Sequence, residues 1–267
     1  MIQKFNIIII QFLLLVFASC ETGFDYEPKI IKEVYFFDGM ISNISSRNYF
    51  TVNKLSKTGE MVPVRGAEIV IYDTYGHRKT MHESKSGYYT LPGFRGFPGY
   101  TYHVQIDVDG KEFSASSKAY RSNQRFKITT SPATGGKLNL FYDYNGSLET
   151  DEFYRFALII NGKRYDNKEW LHVRHIKQGS KIFAIAQNID IEINDTVEVE
   201  VQSLPYDAYQ FYLELLIYYA EQDNESLFSP SPVFPQGNFN NGAEGVFRAS
   251  HIVSKTIIID EGSGLEE

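Results

Sequence analysis

The stretch Tyr100-Thr101-Tyr102-His103-Val104-Gln105-Ile106-Asp107-Val108-Asp109-Gly110-Lys111-Glu112-Phe113 decides the fold class. Tyr100 to Ile106 reads as one long strand, and Asp109-Gly110 separates Ile106-Asp107-Val108 from Lys111-Glu112-Phe113. Asp-Gly suits the positive φ angles of a two-residue hairpin turn, so the chain doubles back there. Upstream, Gly66-Ala67-Glu68-Ile69-Val70-Ile71-Tyr72-Asp73 alternates apolar and polar as a half-buried strand does. Val34-Tyr35-Phe36-Phe37, Tyr49-Phe50-Thr51-Val52 and Gly87-Tyr88-Tyr89-Thr90 are shorter candidates. Strands spaced at about 8–12 residues with turn signals between them read as a sandwich. The 19 Tyr and 20 Phe agree, since flat rings pack on pleated surfaces. A first all-β domain is expected over residues 31–120.

Residues 121–137, RSNQRFKITTSPATGGK, read as a connector, being polar with Pro132 and Gly135-Gly136. A second strand-rich domain is expected over residues 138–260, with strands at 137–142 and 153–160, a hairpin through Asn161-Gly162, and the alternating Thr196-Val197-Glu198-Val199-Glu200-Val201-Gln202. One segment has helical spacing instead: from about 203 to 222, Ala208, Phe211, Tyr212, Leu215 and Tyr219 fall on one face, with Ser203 as cap and Pro205 in the first turn. The run SPSPVFPQGNFNNGAEG is too rich in Pro, Gly and Asn for regular structure, and Val246-Phe247 and 256–259 read as final strands. Residues 261–267 read as a flexible tail. The expected class is mainly β: an Ig-like or prealbumin-like sandwich, then a second strand-rich domain carrying one helix.

The first residues carry an address. Lys4, an apolar run over 5–18 and the small residues Ala18-Ser19 before Cys20 form a secretory signal over residues 1–19. The run of about 14 residues is short for a spanning helix, which needs roughly 20. Small residues directly before a Cys mark a bacterial lipoprotein signal, in which Cys20 is acylated and becomes the first mature residue. Two or three acyl chains, at about 0.8 kcal/mol per buried CH₂, hold a folded domain firmly on a bilayer. Residues 20–30 then form an acidic tether containing Glu21, Asp25 and Glu27. Removing Lys4 takes the formal charge from −7 to −8, which argues against nucleic acid as a partner. Cys20 is the only cysteine, so stability is expected from apolar burial rather than disulfides.

Catalytic signatures are missing: no G-x-S-x-G elbow, no phosphate-binding loop and no H-E-x-x-H helix occurs. No cofactor is expected. His172 and His175 invite a metal reading, but their segment reads as extended, and residues three apart on a strand face opposite sides. Asp190, Glu192, Glu198 and Glu200 offer carboxylates for calcium, yet alternation places them on polar strand faces, where solvation is the ordinary outcome. Gly93-Phe94-Arg95-Gly96-Phe97-Pro98-Gly99-Tyr100 has two readings: a tight turn whose rings cap the core, or a platform in which Phe94, Phe97 and Tyr100 contact a ligand or partner.

Several blocks occur in a familiar order: VRGAEIVIYD, SGYYTLPGFRGFPGYTYHVQIDVDGKEFSASS, DEFYRF, DTVEVEVQSLPYDAYQFYLELL and PVFPQGNFNNGAEGVFRAS. Together with Cys20 they resemble the DUF4249-type Bacteroidota outer-membrane lipoproteins, a domain of unknown function often encoded beside TonB-dependent receptors. The resemblance rests most on Pro235, Asn238, Gly242, Gly245 and Phe247, and on Tyr209, Phe211 and Tyr212 in the helix block. The first domain is also similar to the prealbumin-like sandwich of carboxypeptidase regulatory domains. The resemblance implies an outer-membrane protein facing the exterior, working with a TonB-dependent β-barrel receptor, and it supplies no catalytic residue. The expected function is that of a non-enzymatic accessory in substrate capture or channel assembly. A free-standing adhesin or glycan-binding module is the alternative, and an enzyme ranks third.

Overall fold

The computed structural model describes residues 33–56, 60–122, 126–134, 137–144, 151–165, 172–177, 182–223 and 234–260. Cys20, the signal segment, the tether and the tail lie outside the described residues. The first half runs through β1 (Tyr35–Ser42), β2 (Tyr49–Leu55), β3 (Met61–Pro63), β4 (Glu68–Asp73), β5 (Arg78–Thr80), β6 (His82–Lys85), β7 (Tyr88–Thr90), β8 (Thr101–Val108) and β9 (Lys111–Lys118). The second half adds β10 (Phe126–Pro132), β11 (Leu138–Tyr144), β12 (Glu152–Ile160), β13 (Lys163–Tyr165), β14 (His172–Ile176), β15 (Ile182–Ile189), β16 (Thr196–Leu204), the helix α1 (Tyr206–Asp223), β17 (Glu244–Ser250) and β18 (Ile252–Ile258).

The hairpin read from Asp109-Gly110 joins β8 to β9 in register Val108↔Lys111, with φ of 52° and 71° at the two turn residues. Asn161-Gly162 makes the same kind of turn between β12 and β13, at 49° and 79°. Both dipeptides tolerate the left-handed region that the twist of the strands requires.

Two sheets face each other in the first body. One runs β17-β1-β2-β7-β6 with β3 on β2, and the other runs β5-β4-β8-β9. Their inner faces meet in one core containing Phe37, Phe50, Val52, Ile71, Tyr102 and Val104. Full burial of a ring such as Phe50, at 0% exposure, contributes roughly 1.5–3 kcal/mol. A second core, with Leu140, Tyr142, Tyr154, Phe156, Val199 and Val201, fills the space between β10-β11-β15 and the sheet around β12, β16 and β18.

Several expectations are corrected. A sandwich of residues 31–120 alone lacks a strand, because β17 runs parallel to β1 from Phe36↔Glu244 to Ser42↔Ser250. The described residues from Glu33 to Asp260 accordingly form one compact unit. The connector contains a strand: Phe126 is buried, β10 pairs with β11 over its full length, and Pro132 sits at its last position, where a missing N–H is tolerated. β1 continues past the four residues expected, through Asp38 and Gly39 to Ser42, because packed neighbours cover both faces there. Ser203 belongs to β16 and is not a helix cap. Its hydroxyl donates to Tyr120 O at 2.6 Å, and α1 starts after Pro205, whose carbonyl accepts from Tyr209 N at 3.0 Å. Among the described residues no helix is long and apolar enough to cross a membrane.

Candidate functional site

The Gly93–Tyr100 loop divides its rings between the two readings. Gly96 N donates to Ser42 O at 2.7 Å, Asn48 Nδ2 to Phe94 O at 2.7 Å, and Phe97 N to the buried Tyr102 hydroxyl at 2.7 Å. These bonds turn Phe94 inward, edge-on to Tyr102 at 6.1 Å, so it packs on the first core and is corrected from a contact residue to a structural one. Phe97 stays outside at 58% exposure and lies 5.6 Å from Tyr100.

Sequence reasoning missed the third ring of this patch. Tyr75 is 68% exposed, and its centroid lies 4.8 Å from that of Tyr100. Its turn is built by Asp73, whose Oδ1 accepts from Tyr75 N at 2.9 Å and His77 N at 3.1 Å, while Oδ2 lies 2.9 Å from His77 Nδ1. Burial pulls the Asp73 carboxyl up, but these hydrogen bonds outweigh it and hold the group below its ordinary range. Thr74 and Thr101 exchange hydrogen bonds of 3.1 and 2.9 Å, which lock the two loops together. A Tyr beside Gly76 was legible as a turn residue; that it meets Tyr100 is decided by the β4–β8 pairing, Asp73↔Tyr102.

The residues that carry the family resemblance are architectural. The Asn238 side chain reads the backbone of Phe247 on both sides, Oδ1 accepting from N at 2.9 Å and Nδ2 donating to O at 2.8 Å, as a neighbouring strand would. Phe247 is fully buried, Pro235 is buried, and Gly242 turns at φ of +73°. Asn240 and Asn241 bond to Ser114 and to Glu112 O, covering the free edge of β9. Tyr209, Phe211 and Tyr212 lie on α1; Phe211 and Tyr212 pack with Val173, Leu204 and Val246 in a third cluster, against which Tyr209 rests.

A buried charged seam lies between the bodies, and it was not expected. Arg248 is 1% exposed on β17. Its Nη1 donates to Asp38 Oδ1 at 2.6 Å and its Nη2 to Tyr49 OH at 2.8 Å, and that hydroxyl donates to Asp38 Oδ2 at 2.7 Å. Burial alone would lower the Arg248 pKa, yet Tyr212, Tyr49 and Asp38 around it raise it well above the ordinary value, so it stays charged. The visible signal was an arginine inside the apolar run Val246-Phe247-Arg248-Ala249. Glu200 is corrected from a solvated face to this seam: it is 2% exposed, paired with both Arg164 Nη atoms at 2.9 Å and with Arg47 at 3.2 Å.

His172 and His175 take opposite faces of β14. The first ring meets Phe156 at 5.7 Å and the second stacks on Phe153 at 4.7 Å, with His175 Nε2 2.9 Å from Asp151 Oδ2. Burial, with the Arg174 charge, pushes His172 down to about 4. The unfolded chain takes up this proton below about 6.5 and the folded one only near 4, so stability falls as pH drops through that window. His172→Gln is expected to remove roughly 2 kcal/mol of acid sensitivity between about pH 7 and 4.5. Urea unfolding midpoints at both values measure it, and parallel pH profiles for the two chains would refute the assignment.

The fold defines a class, a double β-sandwich protein with, among the described residues, one α-helix packed against its inter-body seam. The chain belongs to the family described as Domain of unknown function (DUF4249), whose profile matches residues 25–256. No curated protein matches it. Among solved structures, a two fibronectin type-III domain segment from chicken tenascin is 9% identical, covers 63% of this chain and 88% of its own, and has a TM-score of 0.22. A Salmonella alpha-2-macroglobulin mutant is 11% identical over 86% of this chain and 15% of its own, at 0.25. The fold assignment stands on strand pairing and core composition.

Proposed function

We propose that the protein is a non-enzymatic lipoprotein of the outer membrane, held through acyl chains on Cys20 with its folded part facing the exterior. It serves a TonB-dependent β-barrel transporter as an accessory in substrate capture or channel assembly. The observation that carries this reading is the position of the exposed rings Tyr75 and Phe97, which flank the half-buried Tyr100. The chain enters the first sandwich at Glu33, beside the β8–β9 hairpin, where Tyr35 OH donates to Asp109 at 2.7 Å and Lys111 lies 3.3 Å from Glu33. The rings sit at the other end of β1, where Gly96 bonds to Ser42. Eight strand residues separate the two ends, roughly 25 Å at about 3.3 Å per residue. Entry of the tethered chain at one end of the sandwich and an aromatic surface at the other suit capture of a partner above the membrane, and confinement of both to one bilayer raises their effective concentration.

Mild detergent extraction followed by affinity purification is expected to bring down an outer-membrane β-barrel. Tyr75→Ala with Phe97→Ala should reduce recovery at least about tenfold, as loss of aromatic hot spots does, with the melting temperature unchanged. A protein that always elutes alone would count heavily against the reading. Neighbouring, mutually tilted rings also suit sugar faces, the adhesin alternative. A glycan array with native chain and the same double variant separates the two.

A further inference from the structure

Between the outer face of the β1–β2 sheet and α1 lies a cavity of about 620 Å³, within the range of sites that hold one small organic ligand. Its walls are mainly apolar, with Phe36, Met61, Phe211, Leu215, Tyr218 and Phe234 among them. Three charged side chains line it: Asp38, Arg155 and Arg248. We infer that this cavity binds a small amphipathic organic anion, an apolar body carrying one acidic head.

Arg155 and Arg248 lie over the same ring, Tyr212, at 5.2 and 5.4 Å from its centroid, and both line the cavity with it. The carboxylate facing them, Asp38, already accepts from Arg248 through Oδ1 and from Tyr49 through Oδ2. Arg248 Nε is buried with no hydrogen-bond partner, although the Arg248 side chain is almost wholly shielded from solvent. A buried donor left without an acceptor costs about 1–3 kcal/mol, and an acidic head beside Arg248 supplies the acceptor. Arginine forks match carboxylates in geometry as well as charge. A cationic head is disfavoured by the two guanidiniums, and a neutral apolar ligand makes no use of them. The aromatic walls take a flat or acyl body. This reading holds however the chain is anchored.

The probe series is 4-phenylbutyrate, its neutral amide and 4-phenylbutylamine, titrated against the full chain in detergent micelles with empty micelles subtracted. Calorimetry is expected to show one site for the carboxylate, at least about tenfold tighter than the amide, and no saturation by the amine. Leu215→Trp, which fills the cavity with a ring, should weaken carboxylate binding at least about tenfold while circular dichroism stays native. Asp38→Asn, which removes the lining carboxylate, should tighten it several-fold; because this variant also loosens the Arg248 contact, the Leu215→Trp titration decides the matter if Asp38→Asn fails to fold. Equal affinity for carboxylate and amide, tighter binding of the amine, absence of binding up to about 10 mM, or full binding by Leu215→Trp overturns the inference.

Discussion

Replacing Gly245 with Ala is expected to destabilise the protein by at least about 4 kcal/mol, in the rare upper range for a single substitution. Gly245 lies opposite Phe37 in the parallel β1–β17 pairing, at φ of +104°. A Cβ there would stand 1.8 Å from Phe37 O and 2.8 Å from Phe37 C, both backbone atoms inside a sheet. Neither rotamer change nor solvent offers relief, so the two strands must part. Strain at a disfavoured φ costs of order 1–3 kcal/mol, and overpacking a rigid site adds about as much. The neighbouring loop closes the third side: a Cβ on Gly237 would stand 1.5 Å from Gly245 O, so three backbone segments are stacked at this point. Gly242→Ala is the control, since its φ is +73° but nothing lies within 4 Å, and it should cost only about 1–2 kcal/mol. Urea unfolding of both variants tests the account. Equal losses would mean that close approach of the backbones is not what position 245 requires.

The second large effect is expected at Glu200. Its carboxylate is held by Arg164 through two 2.9 Å bonds, by Arg47 at 3.2 Å and by Gln202 at 2.7 Å. Burial raises its pKa, but the bonds and charge of Arg164, then Arg47 and Gln202, bring it below the ordinary glutamate range. Arg47 follows β1, whereas Arg164 and Glu200 lie on β13 and β16, so this one carboxylate ties the first body to the second. Glu200→Ala removes a 2% exposed carboxylate that both Arg164 and Arg47 contact, and breaking a buried pair costs about 3–5 kcal/mol. An exposed pair would cost about 0–1 kcal/mol. Glu200→Gln keeps an acceptor and the volume and should recover part of the loss. The folded state prefers the ionised form, so this contribution is present above the ordinary glutamate pKa and lost as pH falls through the lowered one. Chemical denaturation at neutral pH settles the magnitude; a loss below about 1 kcal/mol would show that the seam is held elsewhere.

Local rules carried the fold a long way where each element is its own explanation. Asp109-Gly110 and Asn161-Gly162 are hairpins because those dipeptides accept left-handed angles, whatever surrounds them. Val197, Val199 and Val201 face a core because alternation leaves them one face to share. The helix was legible from Ala208, Phe211 and Tyr212, although its first residue was not, since Ser203 serves equally well as a cap or as a strand residue bonded across the seam. Glu200 looked solvated for the opposite reason. Alternation says which face a side chain takes but not what covers that face, and here two arginines and a second body do.

By itself, then, the sequence determined the class of structure, the turns and the inward residues of the long strands, because these follow from side-chain period and backbone angle within a few residues. Only the tertiary structure decided that β17 returns about 200 positions along the chain to complete the first sandwich, that Tyr75 joins Phe97 and Tyr100, and that Arg248 is buried against Asp38. Those pairings are set by shape and charge matching between surfaces that no local pattern encodes, and a polar residue in an apolar run reveals its purpose only once its partner arrives.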